Sequence, residues 1–168
     1  VSTWIFGIAY KKALKRLKRI EPAFAKLISH FGPPDLSRSR DAFTTLVCSV
    51  TSQQVSTAAA RSIQVKVRER CPRKRMTPAA LQALAPEELR GCGLSGQKVK
   101  YVHGIAAAFA DGVLSNRKLR AMSDAEVVEA TTALSGIGRW TAEMLMIFCL
   151  ERPDVWPIDD LGIRKGVQ

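Results

Sequence analysis

Apolar positions along the chain recur every three or four residues and never alternate over a long run, so the pattern predicts an all-α protein. Between Lys11 and Arg19 the charges are interleaved with Ala13, Leu14 and Leu17, and Ile20 extends that stripe. This is an amphipathic helix with a basic face. Pro22 opens a second helix carrying Phe24, Leu27, Ile28 and Phe31, which Gly32 and the Pro33-Pro34 pair stop. After a turn over Asp35 to Asp41, the run Ala42 to Val50 is apolar enough for a buried helix that ends at Thr51-Ser52-Gln53-Gln54. The next helix sets Val55, Ala59, Ile63 and Val67 on one face, and the basic strip Arg73-Lys74-Arg75 closes that stretch.

Thr77-Pro78 and Ala85-Pro86 read as the starts of two short helices, with Gly91 and Gly93 as stops. A longer helix is predicted from Gln97 to Ala110, turning Val102, Ile105 and Phe109 inward. Ser123-Asp124-Ala125-Glu126 has the spacing of a capping box, so a helix should run from Asp124 to about Leu134. Ser135 to Gly138 then turn the chain into a helix from Arg139 to about Leu150, apolar around most of its circumference. Pro157 holds Trp156 extended, and a last helix starts with Asp159 as N-cap and Asp160 in its first turn.

A length of 168 residues with 46% hydrophobic content is enough for a packed core. The net charge of +11 favours a polyanionic partner, whether DNA, RNA or an acidic membrane. Cys48, Cys71, Cys92 and Cys149 form no C-x-x-C pair, so a zinc ribbon and a redox motif are unsupported and the thiols are expected to be reduced and mostly buried. The apolar stretch Trp4 to Ala9 is too short to span a bilayer, and its basic residues follow it where a signal peptide would place them before. The expectation is an intracellular protein.

Chemistry concentrates near the C-terminus. Leu134-Ser135-Gly136-Ile137-Gly138-Arg139-Trp140-Thr141-Ala142 reads as a glycine turn opening a helix, a shape that aims bare backbone N–H groups at an anion. In such a hairpin Gly136 and Gly138 permit positive φ and close approach, although a lone Gly-x-Gly is more often just a tight connection. About twenty residues on, Asp159-Asp160 supplies carboxylates suited either to capping a helix or to chemistry, and the helix dipole would keep Asp160 ionised. Lys98 is placed to touch phosphate or to be solvated.

Four ordered motifs carry a resemblance: Val50-Thr51-Ser52-Gln53-Gln54, Cys92-Gly93-Leu94-Ser95-Gly96-Gln97-Lys98, Leu134 to Glu143, and Pro157-Ile158-Asp159-Asp160. Together they resemble the helix-hairpin-helix (HhH-GPD) DNA glycosylases, and within them the alkylpurine branch of the 3-methyladenine DNA glycosylase II type. The resemblance spans roughly Ala13 to Gln168. It implies excision of an alkylated base such as 3-methyladenine or 7-methylguanine from double-stranded DNA after the nucleotide is flipped out of the stack. It places Asp160 at the catalytic carboxylate, Asp159 at the helix cap beside it, and Gln54 at the wedge that fills the gap, with Gln53 and Val55 as alternatives. Both glutamines could instead cap the following helix. Gly136, Gly138, Arg139 and Thr141 fall on the DNA-binding hairpin.

Position 140 divides the family, because strand-cutting members hold a Schiff-base lysine there. Trp140 therefore implies a monofunctional hydrolase that leaves an abasic site, and its ring face suits a cationic base. Met144, one turn along, lines the same pocket or belongs to the core. By analogy, backbone carbonyls of Thr132, Leu134 and Ile137 hold a monovalent Na+ or K+, and no other cofactor is implied.

Members of the family continue beyond the point matched by Gln168, so C-terminal helices are expected to be missing. The expected organisation is a single region of two lobes: helices over 11–40 that join the missing part, a central lobe over 41–150 with the hairpin at about 124–150, and the start of the Asp160 helix over 159–168. The resemblance further implies a monomer in the nucleoid or cytoplasm of a bacterium or the nucleus of a eukaryote, with no membrane partner. The competing readings are a non-catalytic hairpin module or inactive fragment, and a glycosylase for another lesion.

Overall fold

A computed structural model describes residues 7–33, 39 and 41–166. Most of the turn expected over Asp35 to Asp41, and the beginning of the Trp4 to Ala9 stretch, fall outside them. The regular elements among the described residues are all helices, with no strand among them. No described helix is long and apolar enough to cross a membrane.

The chain divides into two compact units, Val1–Ser37 and Arg38–Gln168. In the first, α1 (Gly7–Ile20) packs against α2 (Pro22–Phe31). Glu21 caps α2 through its carboxylate, which accepts the Ala23 N–H at 3.1 Å. Phe24, Leu27 and Phe31 of α2 stay exposed.

The second unit starts with α3 (Ala42–Ser52), capped by Asp41, and α4 (Thr57–Arg70), capped by Ser56. α4 begins two residues later than the apolar spacing suggests. Val55 is thus outside it and exposed, and the inward positions are Ala60, Ile63 and Val67. The short helices α5 (Pro78–Ala83) and α6 (Pro86–Gly91) follow their prolines as expected, and α7 (Gly96–Ala110) is capped by Ser95.

A helix absent from the sequence reading, α8 (Asn116–Ala121), is short and has Ser115 as its cap. The Asn116 side chain accepts the Ala42 N–H at 2.8 Å and donates to Asp41 at 3.1 Å, tying the start of α8 to the start of α3. Burial pushes the Asp41 carboxyl up, but hydrogen bonds from Thr44, Asn116 and backbone N–H groups outweigh it and hold it below the ordinary carboxylate range.

α9 (Asp124–Thr132) opens with the anticipated Ser123/Glu126 capping box. α10 (Arg139–Leu145) is shorter than expected, because the chain loosens into a π turn over Met146–Leu150 before Glu151 reverses it in a left-handed conformation. α11 (Leu161–Gly166) is the last element.

α3 and α7 lie at the centre of this unit, and Leu46, Leu81, Leu89, Ile105, Leu119 and Leu145 are fully buried around them. Each such side chain contributes roughly 1.5–3 kcal/mol through burial, which makes this core a firm base for the loops it carries. Cys71, Cys92 and Cys149 are buried, Cys48 is half-buried, and all four are free thiols, as expected.

Candidate active site and DNA-binding hairpin

The hairpin between α9 and α10 is fixed by one glycine more than the other. Gly136 has φ of 84°, and a Cβ there would be driven into the ring of Tyr101 on α7. Only glycine meets both demands. Gly138 differs from the expectation of positive φ at both glycines: its φ is −97°, and a Cβ would meet nothing within the protein. It is the N-cap of α10 and offers no side chain to the first-turn amides, so those N–H groups are left to an outside acceptor. Ile137 between them is buried and donates its N–H to the Leu134 carbonyl at 3.1 Å, which closes the turn.

Flanking residues separate by exposure. Arg139 projects outward, its side chain 65% exposed, with its Nε donating at 2.9 Å to the buried carboxylate of Glu143. Thr141 is only 3% exposed, so its side chain belongs to the core and its backbone N–H is the part of it at the start of α10. The reason is helical phase, since two residues past Arg139 the helix has turned its face inward.

Next to the hairpin the turn after α3 takes a defined shape. Gln53 is the C-cap of α3, and its side-chain amide crosses to donate to the Gly136 carbonyl at 2.9 Å. Gln54 follows with φ of 56° and is exposed. Neither glutamine caps α4, because Ser56 does. Gln53 is thus occupied inside the protein, whereas Gln54 and Val55 are exposed.

Lys98 is half-buried and engaged by the protein itself. Its ammonium lies against the end of α3, donating to the Gln53 carbonyl at 2.6 Å and the Thr51 carbonyl at 3.1 Å. Burial there pulls the ammonium below the ordinary lysine range.

These elements rim a cleft of about 790 Å³ walled by Cys48, Ser49 and Ser52 of α3, by Gln53 and Gln54, and by Trp140. Burial pushes the Cys48 thiol up, so the wall there is a neutral thiol among hydroxyls. Trp140 is 40% exposed toward this space. Met144, one turn further, is half-buried and does not line the cleft.

The Trp140 indole N–H donates to Oδ2 of Asp160 at 2.8 Å, joining the hairpin helix to the acidic turn. The other oxygen of Asp160 accepts the Ile163 N–H at 3.0 Å, and the Asp160 carbonyl accepts the Arg164 N–H. Asp160 is therefore the N-cap of α11, one residue later than expected, because its own N–H closes a turn onto the Pro157 carbonyl. Asp159 is exposed in that turn. The indole hydrogen bond, then the amides of Ile163 and Gly162, hold the Asp160 carboxyl below the usual carboxylate range, so it is a fixed anion at neutral pH.

The carbonyls of Thr132, Leu134 and Ile137 are hard, neutral oxygen donors, the type a monovalent cation takes. The Leu134 carbonyl accepts the Ile137 N–H, which uses one of its two lone pairs, and the Gly136 carbonyl is turned away to Gln53. No group of three or more His, Cys, Asp or Glu side chains suited to a metal occurs among the described residues. Tyr101, under the hairpin, and Glu143, under Arg139, were not singled out by the sequence. Their only signals are an aromatic one turn after Gln97 and a carboxylate four residues after Arg139.

A family model for the HhH-GPD superfamily base excision DNA repair proteins matches residues 47–168. The chain is 34% identical over 143 residues to DNA-3-methyladenine glycosylase 1 of Schizosaccharomyces pombe, an alignment covering 84% of this chain and 63% of that protein. It is 33% identical over 161 residues to the alkylbase DNA glycosidase-like protein mag2 of the same organism, covering 93% and 76%. Among solved structures it superimposes on the S. pombe 3-methyladenine DNA glycosylase in complex with abasic DNA with a TM-score of 0.82 at 32% identity, covering 93% of this chain and 78% of that one. The chain thus spans under two thirds of the first of these relatives.

Proposed function

The chain belongs to the HhH-GPD superfamily of base excision DNA repair proteins, and from that membership we propose that it is a monofunctional DNA glycosylase that removes alkylated bases from duplex DNA. The observation that carries the reading is the hydrogen bond from Trp140 to Asp160 beside the cleft, because one pair of residues combines a ring face with a fixed anion. 3-Methyladenine and 7-methylguanine carry positive charge, and an aromatic face attracts such a cation by roughly 0.5–2 kcal/mol. Cleavage of the N-glycosidic bond builds positive charge on the sugar, which an ionised Asp160 stabilises while it orients the attacking water. Cationic bases leave readily, so no strong general acid is needed.

In this reading the first-turn amides of α10, with Arg139 at their edge, grip one phosphate without reading sequence. Gln54 enters the space vacated by the flipped nucleotide. Carbonyls of Thr132, Leu134 and Ile137 hold a Na+ or K+ whose charge adds to the attraction for that phosphate. With tryptophan where strand-cutting relatives need a lysine, the product is an abasic site. The protein works as a monomer on DNA inside the cell.

The test is to incubate the protein with methylated duplex DNA and chromatograph the released bases, with Asp160→Asn alongside. Free methylpurines are expected from the parent and on the order of 10³-fold less from the variant, the scale of losing a preorganised electrostatic partner. Borohydride should trap no covalent complex. Duplex binding without release of any base from a lesion panel would establish the non-catalytic hairpin module instead, and release of only oxidised or deaminated bases would move the substrate class.

A further inference from the structure

Gln54 is held in a left-handed conformation that a glutamine rarely adopts, at the mouth of the cleft. Such strain persists only where surrounding structure enforces it. The enforcing contacts come from two distant segments. From α7, the Lys98 ammonium bridges the carbonyls of Thr51 and Gln53 at the C-terminal end of α3, where helix carbonyls lack intrahelical partners. A positive charge there also complements the negative end of the helix dipole. From the hairpin, the Gly136 carbonyl receives the Gln53 amide. The residue preceding Gln54 is thus fixed through its carbonyl by one element and through its side chain by another.

We infer that Lys98 is a positioning residue that, by bridging Thr51 and Gln53, locks the turn presenting Gln54 and sets it against the phosphate-gripping hairpin. This rests on the glycosylase reading, but the lock belongs to the free protein. When Lys98 is removed, the turn must be ordered anew each time a nucleotide is flipped, so the cost falls where flipping is hardest.

Three measurements test it on Lys98→Met, Lys98→Arg and Gln53→Ala. In the free protein, 15N relaxation should show the order parameters of the Gln53 to Ser56 amides falling from about 0.85 to below about 0.6 in Lys98→Met, while those of α7 stay unchanged. Single-turnover base release from 7-methylguanine paired with cytosine should slow about tenfold. From the same lesion opposite an abasic spacer, where nothing need be unpaired, it should slow less than about twofold. Lys98→Arg should recover most of the loss, since a guanidinium can donate to both carbonyls. Gln53→Ala, which removes the second tie, should give the same paired-to-unpaired pattern and keeps the test open if Lys98→Met fails to fold.

The inference is overturned if the turn amides remain ordered in Lys98→Met, or if both substrates slow equally. It is also overturned if release at saturating protein is unchanged while the salt dependence of duplex binding drops by about one phosphate contact, the mark of a direct phosphate ligand. A parent that releases no base refutes the glycosylase reading, and the relaxation data alone then decide the lock.

Discussion

The hairpin around Gly136 and the turn carrying Asp160 meet at Trp140 but are held by opposite means. The hairpin is secured by packing: Ile137 is buried, Gly136 fits against Tyr101, and the Gly136 carbonyl is tied to Gln53. The acidic turn is flanked by exposed Trp156, Ile158 and Leu161, and its carboxylate is placed by one indole N–H and the amides of a six-residue helix. A phosphate grip demands only a rigid backbone, which a core can supply. A reacting carboxylate demands a fixed orientation while staying accessible, and hydrogen bonds give that without burial.

Gly136→Ala should break the comparison most severely. It adds positive-φ strain and an overlap with Tyr101, together about 2–5 kcal/mol. The melting temperature should fall roughly 10 °C, with DNA affinity lost alongside. A melt unchanged within about 2 °C would show that the hairpin is not secured by packing.

Trp140→Phe should leave the fold intact and strike only the acidic turn, keeping a ring face while deleting the donor to Asp160. Base release should slow about 10–100-fold, the value of a hydrogen bond to a charged group. The sign of the pH effect follows from the lowered Asp160 pKa. The ionised form persists above that pKa and is lost as pH falls through it, so removing the donor raises the pKa and activity should fail at a higher pH in the variant. A rate profile whose acid limb does not move would reduce Trp140 to a packing residue.

Gly138→Ala should be the mildest for the fold, because its φ is ordinary and its Cβ has free space. Stability should change by less than about 1 kcal/mol. Duplex binding should nonetheless weaken, since the added methyl occupies the approach to the α10 amides. Unchanged binding would move the phosphate away from that helix start.

Local chemistry made much of this legible. The Ser123/Glu126 capping box, the prolines opening α2, α5 and α6, and the Gly-Ile-Gly turn each act within a few residues, and the elements they announce are present. Failures fall where distance or phase intervenes. Once Ser56 took the cap, α4 lost Val55 and turned Ala60 inward in place of Ala59 while Ile63 and Val67 stayed as expected, and the start of α8 is tied to α3 by Asn116 reaching Asp41 across 75 residues. Thr141 sits in a DNA-binding motif yet faces the core, and Lys98 proved to serve the protein's own carbonyls.

The amino-acid sequence by itself determined the helical class, the hairpin, and the candidate pair Trp140 and Asp160, because periodicity, capping and residue type are local properties. Only the tertiary structure decided that Trp140 donates to Asp160, and that Gly136 rather than Gly138 is packed where no side chain fits. It also sorted Gln53 from Gln54 by engaging one and exposing the other. Those outcomes depend on which groups distant segments bring within hydrogen-bonding or van der Waals reach, and no spacing along the chain encodes such distances.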